Sequence, residues 1–103
     1  AWNRAVDRLL NSPRFGELMA RNWLVASRYA DTCGIHMDAG RQIWPWRDWL
    51  LQALADDKPF DDFVIEQIAG DLMAPRDAKQ EEEFIVATGF LAMGPKSLNQ
   101  RLK

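Results

Sequence analysis

Apolar residues recur at three- and four-residue intervals in four separate stretches of this chain, and that period selects helices. The clearest is Pro13–Ala30. Steps of 100° place Phe15, Leu18, Met19, Trp23, Ala26, Tyr29 and Ala30 on one side, with Arg14, Glu17, Arg21 and Arg28 opposite. Glu17 and Arg21 stand in the favourable i,i+4 order. Ser12-Pro13 reads as N-cap and first helical residue: a hydroxyl for the orphan amides, then a residue with no amide to satisfy.

The other stretches follow the same rule. A first helix is expected over about Trp2–Asn11, with Val6, Leu9 and Leu10 on one face. A third covers about Trp44–Asp56; Pro45 is tolerated in its first turn, and Trp46, Trp49, Leu50, Ala53 and Leu54 form its stripe. "DDKPF" breaks the chain, and a fourth helix follows over about Phe60–Leu72 with Phe60, Phe63, Val64 and Ile68 inward. Asp77 and Gln80 have the spacing of a capping box. "EEEFIVATGFLAM" is apolar on every side after Glu83, which suits a buried helix, with a buried strand as the alternative. Gly94-Pro95 stops it, and residues 96–103 form a polar tail. The expectation is an all-α domain of four or five packed helices over residues 1–95, a truncated part of a larger domain.

Composition narrows function mainly by exclusion. The formal charge is −2, so no global field favours nucleic acid, and no basic stripe interrupts that conclusion. Nine of the thirteen basic residues are arginine, which suits fixed ion pairs better than loose solvation. The single cysteine, Cys33, allows no internal disulfide and no C-x-x-C pair for metal, redox or haem. No apolar run approaches the roughly 18 residues of a membrane span. The chain starts at Ala1 with no visible signal peptide and is read as a piece of a longer protein.

Three polar residues fall inside the apolar stripes. Asn22 sits in the second helix's stripe; Gln67 and Asp71, four apart, sit in the fourth's. A buried carboxylate finds a donor or takes up a proton. Arg47 borders the third helix's stripe, and Arg28 and Arg41 flank the loop between the second and third helices. The expectation is an internal cluster in which Asp71 accepts from one of these arginines, with Gln67 and Asn22 completing the hydrogen bonds and with Asp31, beside Arg28 at the edge of the loop, among its candidate members. Such a cluster either fixes how helices dock or lines a ligand pocket. Alternatively, Gly70 ends the fourth helix in a left-handed turn and releases Asp71.

The loop "SRYADTCGIHMDAGR", bounded by Gly34 and Gly40, holds the only histidine. Asp31, His36 and Asp38 are hard or borderline metal ligands, yet D-x4-H-x-D is no established ligand spacing, and no metal site is assigned. Cys33 has no nearby partner to activate a thiolate. Trp46 and Trp49 lie on the core stripe, which leaves Trp44 as the exposed member of "WPWRDW" and the one able to stack on a base or sugar.

"DRLLNSPRFGE", "RNWLVASRYADTCG", "WPWRDWLLQAL", "DDKPFDDFVIEQIAGDLMAP" and "ATGFLAMGP" occur in that order. Together they resemble the N-terminal part of the DUF1549 family, also called the planctomycete cytochrome-associated PSCyt2 domain. The resemblance runs from about Asp7 to Pro95. It implies a module of large exported bacterial proteins that often carry a cytochrome c-like domain upstream and a DUF1553 domain downstream. Haem would then belong elsewhere in the parent protein, with no cofactor in this chain. The location implied is extracytoplasmic, and the partners implied are the parent's other domains. The resemblance supplies no reaction.

Matching positions are Arg28, Asp31, Arg47, Asp48, Gln67 and Asp71. The departures are as informative. The family's usual R-H-W-L-D reads "RNWLV" here, with Asn22 for the histidine and Val25 for the aspartate, and Pro45-Trp46 replaces an arginine–tyrosine pair. The family's C-x-R-C-H segment would follow Pro95. Two functions are therefore expected: a helical scaffold or interaction module first, and second part of an enzyme of unknown reaction, such as a polysaccharide-directed hydrolase, that needs residues outside this chain.

Overall fold

Five helices account for the architecture of the computed structural model, which describes residues 1–32 and 40–94. They are α1 (Trp2–Leu10), α2 (Pro13–Ala26), α3 (Trp44–Ala55), α4 (Phe60–Ala69) and α5 (Ala78–Ala87). Short 3₁₀ turns extend α4 over Gly70–Leu72 and α5 over Thr88–Ala92. The described residues contain no strand, only an isolated antiparallel bridge between Thr32 and Gly40. The all-α expectation therefore holds, and the strand alternative for the fifth segment does not. Cys33, Gly34, His36, Asp38, Pro95 and the 96–103 tail lie outside the described residues.

The helix starts follow local chemistry. Ser12 accepts from the Arg14 amide at 3.3 Å, with Pro13 as the first residue of α2. Asp77 accepts from the Gln80 amide at 2.8 Å, while the Gln80 side chain accepts from the Arg76 amide at 2.7 Å, one residue before the cap. Glu17 pairs with Arg14 at 2.8 Å rather than with Arg21. Both are exposed, so the pair contributes a few tenths of a kcal/mol.

α3 is the centre of the packing. Its Trp46, Trp49, Leu50 and Ala53 are buried, as the stripe predicts. α2 packs on one flank of α3 and α5 on another; α4 packs on α5 and on the Thr88–Ala92 turn. The aromatic rings form two groups. Trp49 stacks on Phe63 at 5.4 Å, and Trp23 meets Phe63 edge-on at 5.0 Å. Trp46 lies between Tyr29 and Phe90, each 6.3 Å away. Large buried rings of this kind each contribute about 3 kcal/mol through removal of apolar area from water.

The buried faces of α2 and α4 differ from the expected ones. α2 buries Gly16 and Ala20 with Ser27 beyond its end, while Phe15, Leu18 and Met19 are exposed. Small residues let α2 approach α3 closely: a Cβ on Gly16 would sit 3.5 Å from the Ala55 amide nitrogen. α4 buries Phe63, Glu66 and Gln67, followed by Gly70, whereas Phe60 and Ile68 face outward. Gly70 is not left-handed; its φ is −57°. Its small size is what counts, because a Cβ there would fall 2.3 Å from the Phe84 carbonyl oxygen of α5.

Left-handed turns occur elsewhere. Arg28 (φ 57°) closes α2, with Tyr29 N–H donating to Leu24 C=O at 3.0 Å; Asp57 (φ 51°) closes α3, with Lys58 N–H donating to Ala53 C=O at 3.0 Å. Both are Schellman caps built without glycine.

The two close approaches predict opposite outcomes. Gly70→Ala forces α4 and α5 apart and is expected to cost on the order of 3 kcal/mol in urea unfolding. Gly16→Ala meets only ordinary contact distances and gains helix propensity, so its effect should lie between neutral and about 1 kcal/mol stabilising.

Candidate functional site

The expected internal cluster does not assemble. Asn22 is exposed on α2, because the buried face there is carried by Gly16 and Ala20. Asp71 is exposed, because the chain tightens into a 3₁₀ turn at Gly70 and leaves the α4 face. Among the described residues no ion pair reaches Asp71. Gln67 is 3% exposed, but its Nε2 donates to the Phe63 carbonyl at 3.0 Å, within its own helix. No described protein group bonds its Oε1.

The buried carboxylate belongs to Glu66 instead. Lys58 Nζ lies 2.6 Å from Glu66 Oε2 and 5.5 Å from the centre of the Trp49 ring. The left-handed turn at Asp57 directs the chain so that Lys58 can reach α4. A sequence signal existed for Glu66: positions 63, 66, 67 and 70 are spaced i, i+3, i+4, i+7, one face of a helix. Reading the larger apolar side chains alone rotated that face.

Of the remaining predicted residues, Asp31 and Arg47 meet around Tyr29 near the start of α3. Tyr29 Oη donates to Asp31 Oδ1 at 2.7 Å. Arg47 lies 6.0 Å above the Tyr29 ring and 3.6 Å from Asp48. Burial pushes the Tyr29 phenol up from its ordinary value; the hydrogen bond to Asp31 adds to this, and Arg47 opposes it. Arg28 is exposed. Arg41 does structural work: Nε donates to Ala30 C=O at 2.9 Å and Nη1 to Gly94 C=O at 3.0 Å, which ties the α2–α3 connection to the end of the helical region. Of the loop's metal candidates only Asp31 is described. Among the described residues no three His, Cys, Asp or Glu side chains gather as a metal site.

A groove of about 460 Å³ lies between α3 and α5. Its geometry follows from helical spacing. Trp44, Asp48, Gln52 and Asp56 are four apart and form one wall; Pro45, Trp49 and Ala53 form the floor. Lys79, Glu82, Glu83 and Val86 of α5 form the other wall, and Lys58 also lines the groove. Trp44 is 50% exposed, in line with its place off the core stripe. An indole face with carboxylates around it can bind a cation or stack on a sugar.

Two measurements check this geometry. Lys58→Met leaves Glu66 buried and unpaired and should cost about 3 kcal/mol; Glu66→Gln, which lets the more exposed Lys58 rehydrate, should cost less, and replacing both by Met should recover most of the loss. Tyr29 is the only tyrosine, so tyrosinate absorbance reports it alone. Its midpoint should exceed the usual value of about 10, with Asp31→Asn moving it part of the way back. The folded state favours the neutral phenol, so this stabilisation is complete below the unfolded midpoint and is lost as pH rises through the folded one.

No curated protein and no solved structure matches the chain. No helix among the described residues is long and apolar enough to cross a membrane. A family model does match, over residues 1–103: PSCyt2, described as "Protein of unknown function (DUF1549)". The chain belongs to the DUF1549 (PSCyt2) family.

Proposed function

We propose that the chain is a helical interaction module of an exported, cytochrome-linked multidomain bacterial protein, and that its partners are other domains of that protein. The observation that carries the interaction part is the apolar face left open on α1 and α2. α1 buries none of its residues, although Trp2, Val6, Leu9 and Leu10 lie along it. Leu18, Met19 and Val25 of α2 are exposed as well. Single exposed apolar side chains are ordinary, but a run of this extent on neighbouring helices marks a contact surface.

The thinness of the core agrees with this reading. Eight hydrophobic residues are buried among those described. The radius of gyration is 16.3 Å, against about 13 Å for a compact domain of 100 residues. The exported and cytochrome-linked context rests on the resemblance of the sequence blocks.

A second reading is part of an enzyme acting on polysaccharide, completed by residues outside this chain. The groove favours it, because Trp44, Asp48 and Glu82 all line it. Such a site still requires a positioned acid or base at the scissile bond.

The test pairs Leu9→Lys with Leu18→Lys. Both side chains are exposed, so the double variant should shift the melting temperature by no more than about 3 °C. It should also abolish binding to the remainder of the parent protein, supplied as a separate chain in calorimetry. Undiminished binding, or no binding by the unmodified chain, would remove the interaction reading.

A further inference from the structure

We propose that the α3–α5 groove binds an arginine side chain of an extended, basic peptide segment, with the guanidinium on the Trp44 face and its aliphatic stem along the floor. This goes beyond the interaction reading above and uses none of the α1 or α2 residues.

Charge is the first argument. The groove is lined by four carboxylates, Asp48, Asp56, Glu82 and Glu83, and by two lysines, Lys58 and Lys79. Their net charge of −2 equals that of the whole chain, so the remaining residues sum to zero. That balance is unchanged when the adjoining partners are counted, because Glu66 pairs with Lys58 at 2.6 Å and Arg47 lies 3.6 Å from Asp48. Lys79 is 86% exposed and 3.8 Å from Glu83, a loose pair that a competing cation can displace.

Shape and surface chemistry narrow the ligand. A volume of about 460 Å³ holds one or two side chains, not a helix. The floor of Pro45, Trp49 and Ala53, with Val86 beside it, offers apolar contact to a methylene stem. Trp44 presents a half-exposed indole. A guanidinium is planar, weakly hydrated, stacks on indole and donates in a fork to a carboxylate. A lysine ammonium matches the charge but not the stacking. A neutral saccharide matches the stacking but leaves the carboxylates uncompensated, and an acidic one is repelled.

The experiment titrates the full chain with acetyl-tetraarginine amide, acetyl-tetralysine amide and a neutral cello-oligosaccharide, followed by NMR shifts and calorimetry. Saturable tetraarginine binding is expected, about fivefold or more tighter than tetralysine. It should weaken as salt rises from low to physiological strength. Trp44→Ala, and separately Asp48→Asn with Glu82→Gln, should each weaken it about fivefold, with unchanged melting temperatures. Absence of saturation overturns the proposal. So does equal affinity for tetralysine, or binding indifferent to Trp44→Ala, since either marks diffuse charge attraction. Binding of the oligosaccharide in preference to tetraarginine also overturns it and assigns the groove to a carbohydrate.

Discussion

The structure depends on the burial of one side of α3. Trp46 and Leu50 are the large side chains removed almost completely from water, and the other elements are placed by contact with them or with their neighbours. Tyr29 and Phe90 close on Trp46 from two directions, and a Cβ on Gly89 would fall 3.2 Å from the Trp46 Cβ. Phe63 of α4 stacks on Trp49. Once that side of α3 is committed to the core, the ridge from Trp44 to Asp56 must face outward. The groove is thus a geometric consequence of core packing. The same rotation that buries Trp46 and Trp49 exposes Trp44 and lines up Asp48, Gln52 and Asp56 beside it.

Helix positions were legible in the sequence, and helix faces were legible only where large side chains carry them. α3 could be read because tryptophans and a leucine mark its buried side. α2 could not, because its contact with α3 uses Gly16 and Ala20, whose contribution is close approach rather than apolar area. Weighting by size then assigned the core to Leu18 and Met19, which face outward. On α4 the same bias favoured Phe60 and Ile68 over Glu66, since a carboxylate seldom marks a buried position. What makes Glu66 tolerable inside is Lys58, eight residues earlier and across a turn. Periodicity within one helix cannot register that pairing.

The predicted polar residues divide along the same line. Gln67 lies on the buried side of α4 and Asp71 does not, because an i,i+4 relation holds only while the α-helix continues. The 3₁₀ turn at Gly70 changes the rotation per residue. It occurs where α4 crosses the backbone of α5 too closely for any side chain. A contact distant in sequence therefore decides the fate of a residue that local spacing had placed inside. Trp44, by contrast, was identifiable as the exposed tryptophan, since its position depends only on the rotation of an intact helix about a well-marked core face.

The two Schellman caps connect these levels. A non-glycine residue in the left-handed region costs about 1–2 kcal/mol. Arg28 and Asp57 nevertheless hold that conformation. Each reverses the chain at the end of a helix so that the next side chain reaches a specific partner. Beyond Arg28, Tyr29 stacks on Trp46 and bonds Asp31; beyond Asp57, Lys58 lies over Trp49 and bonds Glu66. Glycine would relax the backbone in both places but would leave the unfolded chain freer, which offsets part of the gain. The strain is sustained because each turn places a polar group beside a core tryptophan. One of those groups, Lys58, is committed to the carboxylate of Glu66, whereas the groove's Asp48 and Glu83 have only longer contacts, to Arg47 at 3.6 Å and to Lys79 at 3.8 Å, that solvent screens and a competing cation can displace.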